Sequence, residues 1–107
     1  MSFPNFIQIG PIKVRVIQFS AKFCRQNPDV FGSYDPAIAV IEISDRLSPD
    51  RRLVTFLHEI GHAIWNVYEI GKVSDQEAIV SLMAVAWANV YQDNPYLLSW
   101  ISSVRSP

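Results

Sequence analysis

A single cysteine, Cys24, occurs in 107 residues. No intrachain disulfide can therefore form, and the cysteine pairs of zinc ribbons and of disulfide-stapled secreted domains are excluded. A reducing cytoplasm is the expected setting, and a lone cysteine there is more often packed away than used. Basic charge is in no excess: nine Lys and Arg stand against ten Asp and Glu, for a net charge of -1 and a pI near 6.0. That leaves no field to gather phosphates, so nucleic-acid binding is not expected. The start, Met1-Ser2-Phe3-Pro4-Asn5, lacks the basic and long apolar regions of a signal peptide. The longest apolar stretch, Ala78 to Tyr91, is interrupted by Ser81 and Asn89 and is too short to cross a bilayer, so no membrane association is expected. Histidine is scarce as well: His58 and His62 are the only two, which excludes any site needing three imidazoles.

What is present is ordinary globular material. Half of the residues are apolar and 18% are charged, which suits one domain over residues 1–107 with one core. Phe6 to Ser20 alternates in places and is broken at Gly10-Pro11, predicting a short strand and then a longer one with one wet face. Turn formers follow at Asn27-Pro28-Asp29 and Gly32-Ser33-Tyr34-Asp35-Pro36, and Ala37 to Ser44 reads as a β-branched strand. The expectation is a sheet of roughly three strands, antiparallel because the connections look too short for helical crossovers.

The second half changes character at Ser48-Pro49-Asp50, a cap, a proline at the first helical position and a first-turn acid. Leu53, Leu57, Ile60, Ile64 and Val67 form one apolar stripe, and Gly71 is the expected terminator. Ser74 with Glu77 three residues on has the pattern of a capping box, opening a second helix towards Gln92; Asn94-Pro95 opens a third. The fold class is thus α+β, a small antiparallel sheet followed by one functional helix and two further helices.

His58-Glu59-Ile60-Gly61-His62 is an H-E-x-x-H string in the middle of the first of these helices. Residues four apart on a helix lie about 40° and one turn apart, so both imidazoles project from one side and can converge on one cation. That side lies roughly opposite Leu57, Ile60 and Ile64, so the histidines face a cleft while the stripe faces the core. Imidazole suits zinc, and a carboxylate beside an open coordination position can take a proton from an attacking water; Glu59 stands one residue round from His58. The bland alternative is a pair of surface histidines on an amphipathic helix.

The segment Thr55-Phe56-Leu57-His58-Glu59-Ile60-Gly61-His62-Ala63-Ile64 resembles the active-site helix of zincin metallopeptidases, and more narrowly that of the ImmA/IrrE-like metallopeptidases. The resemblance runs from Gly32 to the second helix, through a Gly-x-Tyr-Asp turn, an apolar strand and a polar turn. It implies a cytoplasmic zinc metalloprotease that acts on protein or peptide substrates, with His58 and His62 as ligands and Glu59 as catalytic base. The short chain is similar to compact phage or prophage versions. Metzincins are excluded, because Trp65 and Tyr68 stand where that group places glycine and histidine.

Catalytic zinc commonly has three protein ligands. Glu69 shares the histidine face but lies about 10 Å along the axis from His62, too far for the same ion. Glu77 resembles the downstream glutamate of gluzincins and of the ImmA/IrrE-like group; as a capping-box residue it would instead need no metal. Asp75 is the nearest substitute. Cys24 enters because peptide deformylases pair this helix with a cysteine ligand, although Phe23-Cys24-Arg25-Gln26 does not look like the segment they use. The function expected is peptide-bond hydrolysis by a zinc-activated water. The rivals are a non-catalytic, metal-containing interaction module and a deformylase-like amidase using Cys24. Ile38 to Ser44 would serve as a substrate-binding sheet edge or as an ordinary strand. Tyr34 or Tyr68 would donate to an oxyanion or simply pack. Trp65, Trp87 and Trp100 read as core or interface anchors. The helix from Ala78, apolar on nearly every side, is either central to the fold or the contact of a homodimer.

Overall fold

Gly10 and Pro11 make the first sharp turn, joining β1 (Phe6–Ile9) to β2 (Ile12–Gln18). Gly10 has φ +55°, and the proline ring holds Pro11 near about -65°. A positive and then a negative φ is what a type II′ hairpin turn requires. Ile9 then pairs with Ile12, and Val14 and Val16 point into the core while Lys13 and Arg15 stay wet. The computed structural model describes residues 3–104 and continues with α1 (Ala21–Gln26), β3 (Gly32–Asp35), β4 (Val40–Ile43), α2 (Pro49–Val67), a 3-10 turn (Ile70–Lys72), α3 (Gln76–Asp93) and α4 (Pro95–Val104).

The sheet has four strands in the order β1-β2-β4-β3, and the helices follow it, as the α+β reading expects. Two features differ from the sequence reading. Gly32–Asp35, which looks like a turn, is a strand, because its backbone pairs along the whole of β4. The β2–β4 pair is parallel rather than antiparallel. A parallel pair needs a connection of about a dozen residues or more. Residues 19–39 supply it with α1, capped by Ser20 through the Phe23 N–H, and with β3 itself.

One face of the sheet carries Ile7, Ile9, Val14, Val16, Ile41 and Ile43 against α2, which buries Phe56, Ile60, Ala63 and Ile64. Each such side chain, fully withdrawn from water, contributes about 1.5–3 kcal/mol before the entropy of ordering it is subtracted. Ser48 caps α2 by accepting from the Arg51 N–H, and Pro49 occupies its first position. The helix ends earlier than Gly71. Glu69 takes the left-handed conformation (φ 54°), and Gly71 serves another purpose: a Cβ there would lie 2.8 Å from Trp65 Nε1. At α3 the cap is Asp75, not Ser74; its Oδ2 accepts from the Ala78 N–H at 3.0 Å. Glu77 is therefore not part of a capping box.

The sheet's two outer edges are treated differently. Along β1, buried Asn94 accepts from the Gln8 N–H (2.7 Å) and donates to the Gln8 carbonyl (2.8 Å) and to that of Val90 (2.7 Å). This side chain thus closes one edge and ties α3 to it. The other edge belongs to β3 and lies beside α2. The apolar α3 is not central: Ala86 and Val90 are buried, whereas Val80 and Val85 stand on its exposed side. Trp100 belongs to the core, and Trp65 is exposed.

Candidate metal and active site

His58 and His62 leave the exposed side of α2, one turn apart, because the stripe around Ile60 and Ile64 commits the opposite side to the sheet. Their Nε2 atoms are 3.1 Å apart, and the rings meet edge to face at 78°. Two nitrogens held by one tetrahedral zinc at about 2.0–2.1 Å would stand about 3.3 Å from each other. The spacing of the pair is therefore close to that of two ligands of one zinc ion.

Glu59 is only 6% exposed. Burial raises its carboxyl above the ordinary carboxylate range, and the neighbouring His58 and His62 pull it back down. It lines a hollow of about 300 Å³ together with Phe31, Gly32, Val54, Thr55 and His58. The strand β3 runs against it. A Cβ on Gly32 would lie 2.8 Å from Thr55 Cγ2 and 3.2 Å from both Cγ and Oε2 of Glu59, so only glycine lets β3 approach this closely. Gly32→Ala is expected to force β3 and α2 apart, costing about 1–3 kcal/mol as overpacking does. In a domain of this size that lowers the melting temperature by about 4–8 °C per kcal/mol, measurable by thermal unfolding.

The ladder fixes which way β3 presents its backbone. The Ser44 N–H donates to the Phe31 carbonyl at 2.9 Å. By the alternation of an antiparallel pair, Ser33 and Asp35 also face β4, while Gly32 and Tyr34 turn their N–H and C=O groups to the open edge. The edge beside the histidines is thus β3; Ile38 to Ser44 leads into β4, an inner strand, and cannot serve as the edge.

Of the two tyrosines weighed from sequence, the structure brings one to this face. The Tyr34 hydroxyl donates to Oδ1 of Asn66 (3.2 Å), one turn beyond His62 on the same side of α2. Burial, helped by the Asp35 carboxylate, raises its pKa, so it stays protonated and able to donate. The Tyr68 hydroxyl instead meets Asn89 of α3. A second hollow is lined by His58, Gly61, His62 and Trp65.

The remaining candidates lie apart. Cys24 is 3% exposed, 3.8 Å from the Ser44 hydroxyl, and lines a separate cavity with Arg46, Leu47 and Ser48, so the deformylase-like arrangement is not assembled. Asp75 is engaged as a helix cap. Glu77 is exposed in the first turn of α3. Among the described residues no group of three His, Cys, Asp or Glu side chains is gathered as a metal would need. Gly32, Phe31 and Asn66 were not singled out from sequence as site residues; the Gly-x-Tyr-Asp pattern was the one signal pointing to the first of them.

An α+β domain with an H-E-x-x-H helix lying beside an open sheet edge has the make-up of a metallopeptidase-type domain. Residues 16–80 match the peptidase M78 family, described as the IrrE N-terminal-like domain, and since this is more than half of the chain, the chain belongs to that family. The matched stretch runs from β2 into the first turns of α3 and includes His58, Glu59, His62 and Glu77. No curated protein and no solved structure gave a match. Among the described residues no helix is long and apolar enough to cross a membrane.

Proposed function

We propose that this chain is a zinc-dependent metallopeptidase that cleaves protein or peptide substrates. The observation that carries the reading is the pair of Nε2 atoms 3.1 Å apart on the exposed side of α2, with the neighbouring Glu59 carboxyl packed against Gly32 of β3. His58 and His62 would hold the ion, and Glu77, which stands apart from them in this fold, would complete the set if the start of α3 moved towards them. Zinc bound there would supply Lewis acidity towards the scissile carbonyl and acidify the attacking water.

The protein's own groups do the rest. A substrate strand added to β3 would take its main-chain hydrogen bonds from Gly32 and Tyr34, which places the peptide across the face of α2. Glu59 accepts the proton of the attacking water and passes it to the departing nitrogen, a role served by a carboxyl whose affinity for protons burial has raised. The Tyr34 hydroxyl, whose one proton goes to Asn66 Oδ1 in the free protein, would have to exchange that partner to donate to the carbonyl oxygen as it gains charge.

Elemental analysis of the purified protein alongside Glu77→Ala tests the metal part of the proposal. The expected result is about one zinc per wild-type chain, held at least about 10-fold more weakly by the variant. Wild-type protein that retains no zinc after dialysis against micromolar zinc would refute the proposal; equal retention by the variant would remove Glu77 from the ligand set.

A further inference from the structure

The cavity that holds Cys24 has a volume of about 290 Å³ and is walled by the end of α1, the link from α1 to β3, the link from β4 to α2 and the first turn of α2. It takes in no residue of β3 and neither His58 nor Glu59. Small-molecule sites have volumes from about 300 Å³ upwards, with mostly apolar walls and a few convergent polar groups. Pro28, Val30, Phe31 and Leu47 supply the apolar walls here. The charge is of one sign: Arg46 and Arg51 line the cavity and no acidic side chain does, although Asp45 and Asp50 stand beside them in sequence. Among the described residues neither guanidinium has a carboxylate partner. Arg51 lies over the Phe31 ring, 5.6 Å from its centroid, and Arg46 is engaged only through its backbone N–H.

A buried hydroxyl adds a third donor. Ser44 is 4% exposed and lines the cavity; its Oγ accepts from the Arg46 N–H at 3.3 Å, and among the described residues its only other polar neighbour is the Cys24 sulfur, 3.8 Å away. Sulfur is a weak acceptor, so the Ser44 proton is poorly used within the chain and can go to an anionic oxygen. Ser48 and Asn27 also line the space, but Ser48 caps α2 and the Asn27 amide donates to the Phe23 carbonyl, so neither is counted. An inorganic anion would leave the apolar walls unfilled, and a neutral apolar molecule would leave both guanidinium groups without a partner. A carboxylate on an apolar body satisfies both, and the planar guanidinium fork matches a carboxylate in shape. We propose that this cavity binds a small aliphatic carboxylic acid, its carboxylate held by Arg46, Arg51 and the Ser44 hydroxyl and its chain packed on Val30, Phe31 and Leu47.

Acetate, hexanoate, octanoate, octanol and inorganic phosphate are the probes, added to the full chain and followed by calorimetry and by two-dimensional NMR of the backbone amides. Octanoate should bind one to one, with shifts centred on Val30, Ser44 and Leu47. Affinity should rise from acetate by about fourfold per methylene until the walls are covered. Octanol should bind at least about 10-fold more weakly than octanoate, and Arg46→Ala and Arg51→Ala should each weaken octanoate about 10-fold or more, the loss expected for a hydrogen bond to a charged group. Both arginines are exposed, so both variants should keep the wild-type spectrum away from the cavity. The proposal is overturned if octanoate gives no saturable shift, if its shifts centre on His58 and His62, or if octanol or phosphate binds as tightly as octanoate. Octanoate affinity unmoved by both arginine variants overturns it as well. None of these outcomes bears on peptide hydrolysis, so the cavity and the peptidase reading stand or fall separately.

Discussion

Glu59→Gln is expected to lower peptide hydrolysis by about 1000-fold while zinc content stays at the wild-type level. Positioned proton transfer contributes about 100- to 10,000-fold in enzymes, and the amide keeps the size of the side chain but cannot accept the proton. The fold should not suffer. Glu59 is buried as a residue and burial disfavours its ionised form, a cost that the neutral amide does not carry, so the melting temperature at neutral pH should not fall. The comparison is made with a fluorogenic peptide, elemental analysis and thermal unfolding on the same preparations. Undiminished turnover would remove Glu59 as the base. Zinc retained by a wild-type protein that is itself inactive would favour the interaction-module reading instead.

His58→Ala and His62→Ala should each weaken zinc binding by more than about 100-fold, since losing a ligand costs more than losing one of the groups that orient it. Both rings are exposed and take no part in the core, so folding should be retained in each variant. Competition with a chromogenic chelator reads the affinity directly. An unchanged affinity in either variant would mean that the 3.1 Å approach of the two nitrogens is a hydrogen bond between surface imidazoles and nothing more.

Much of the architecture could be read from local pattern. The cap at Ser48, the proline after it and the stripe through Ile60 and Ile64 define a helix whose buried side leaves His58 and His62 exposed, and the structure has that arrangement. The pattern was less informative where pairing partners decide. Gly32–Asp35 carries turn residues, yet it becomes a strand because β4 offers a continuous ladder and Gly32 has no Cβ to hold it off Thr55 and Glu59. The parallel pairing of β2 with β4 was hidden for the same reason: the six-residue α1 and the strand β3 together make the crossover, and neither is prominent in sequence. Capping was misread by one position at α3, where Ser74 and Asp75 are both good caps and only the hydrogen bond to Ala78 distinguishes them.

By itself, the sequence determined the side of one helix on which two imidazoles and a carboxylate sit, because a 3.6-residue period relates neighbours on a helix without reference to anything else. Tertiary structure alone decided what faces that side. It placed the open edge of β3 along the histidines, brought Tyr34 but not Tyr68 to them, moved Cys24 into another cavity and used Asn94 to close the opposite edge. Contacts of this kind join residues far apart in the chain, and their outcome depends on how the sheet and α2 pack as one body, which no local period records.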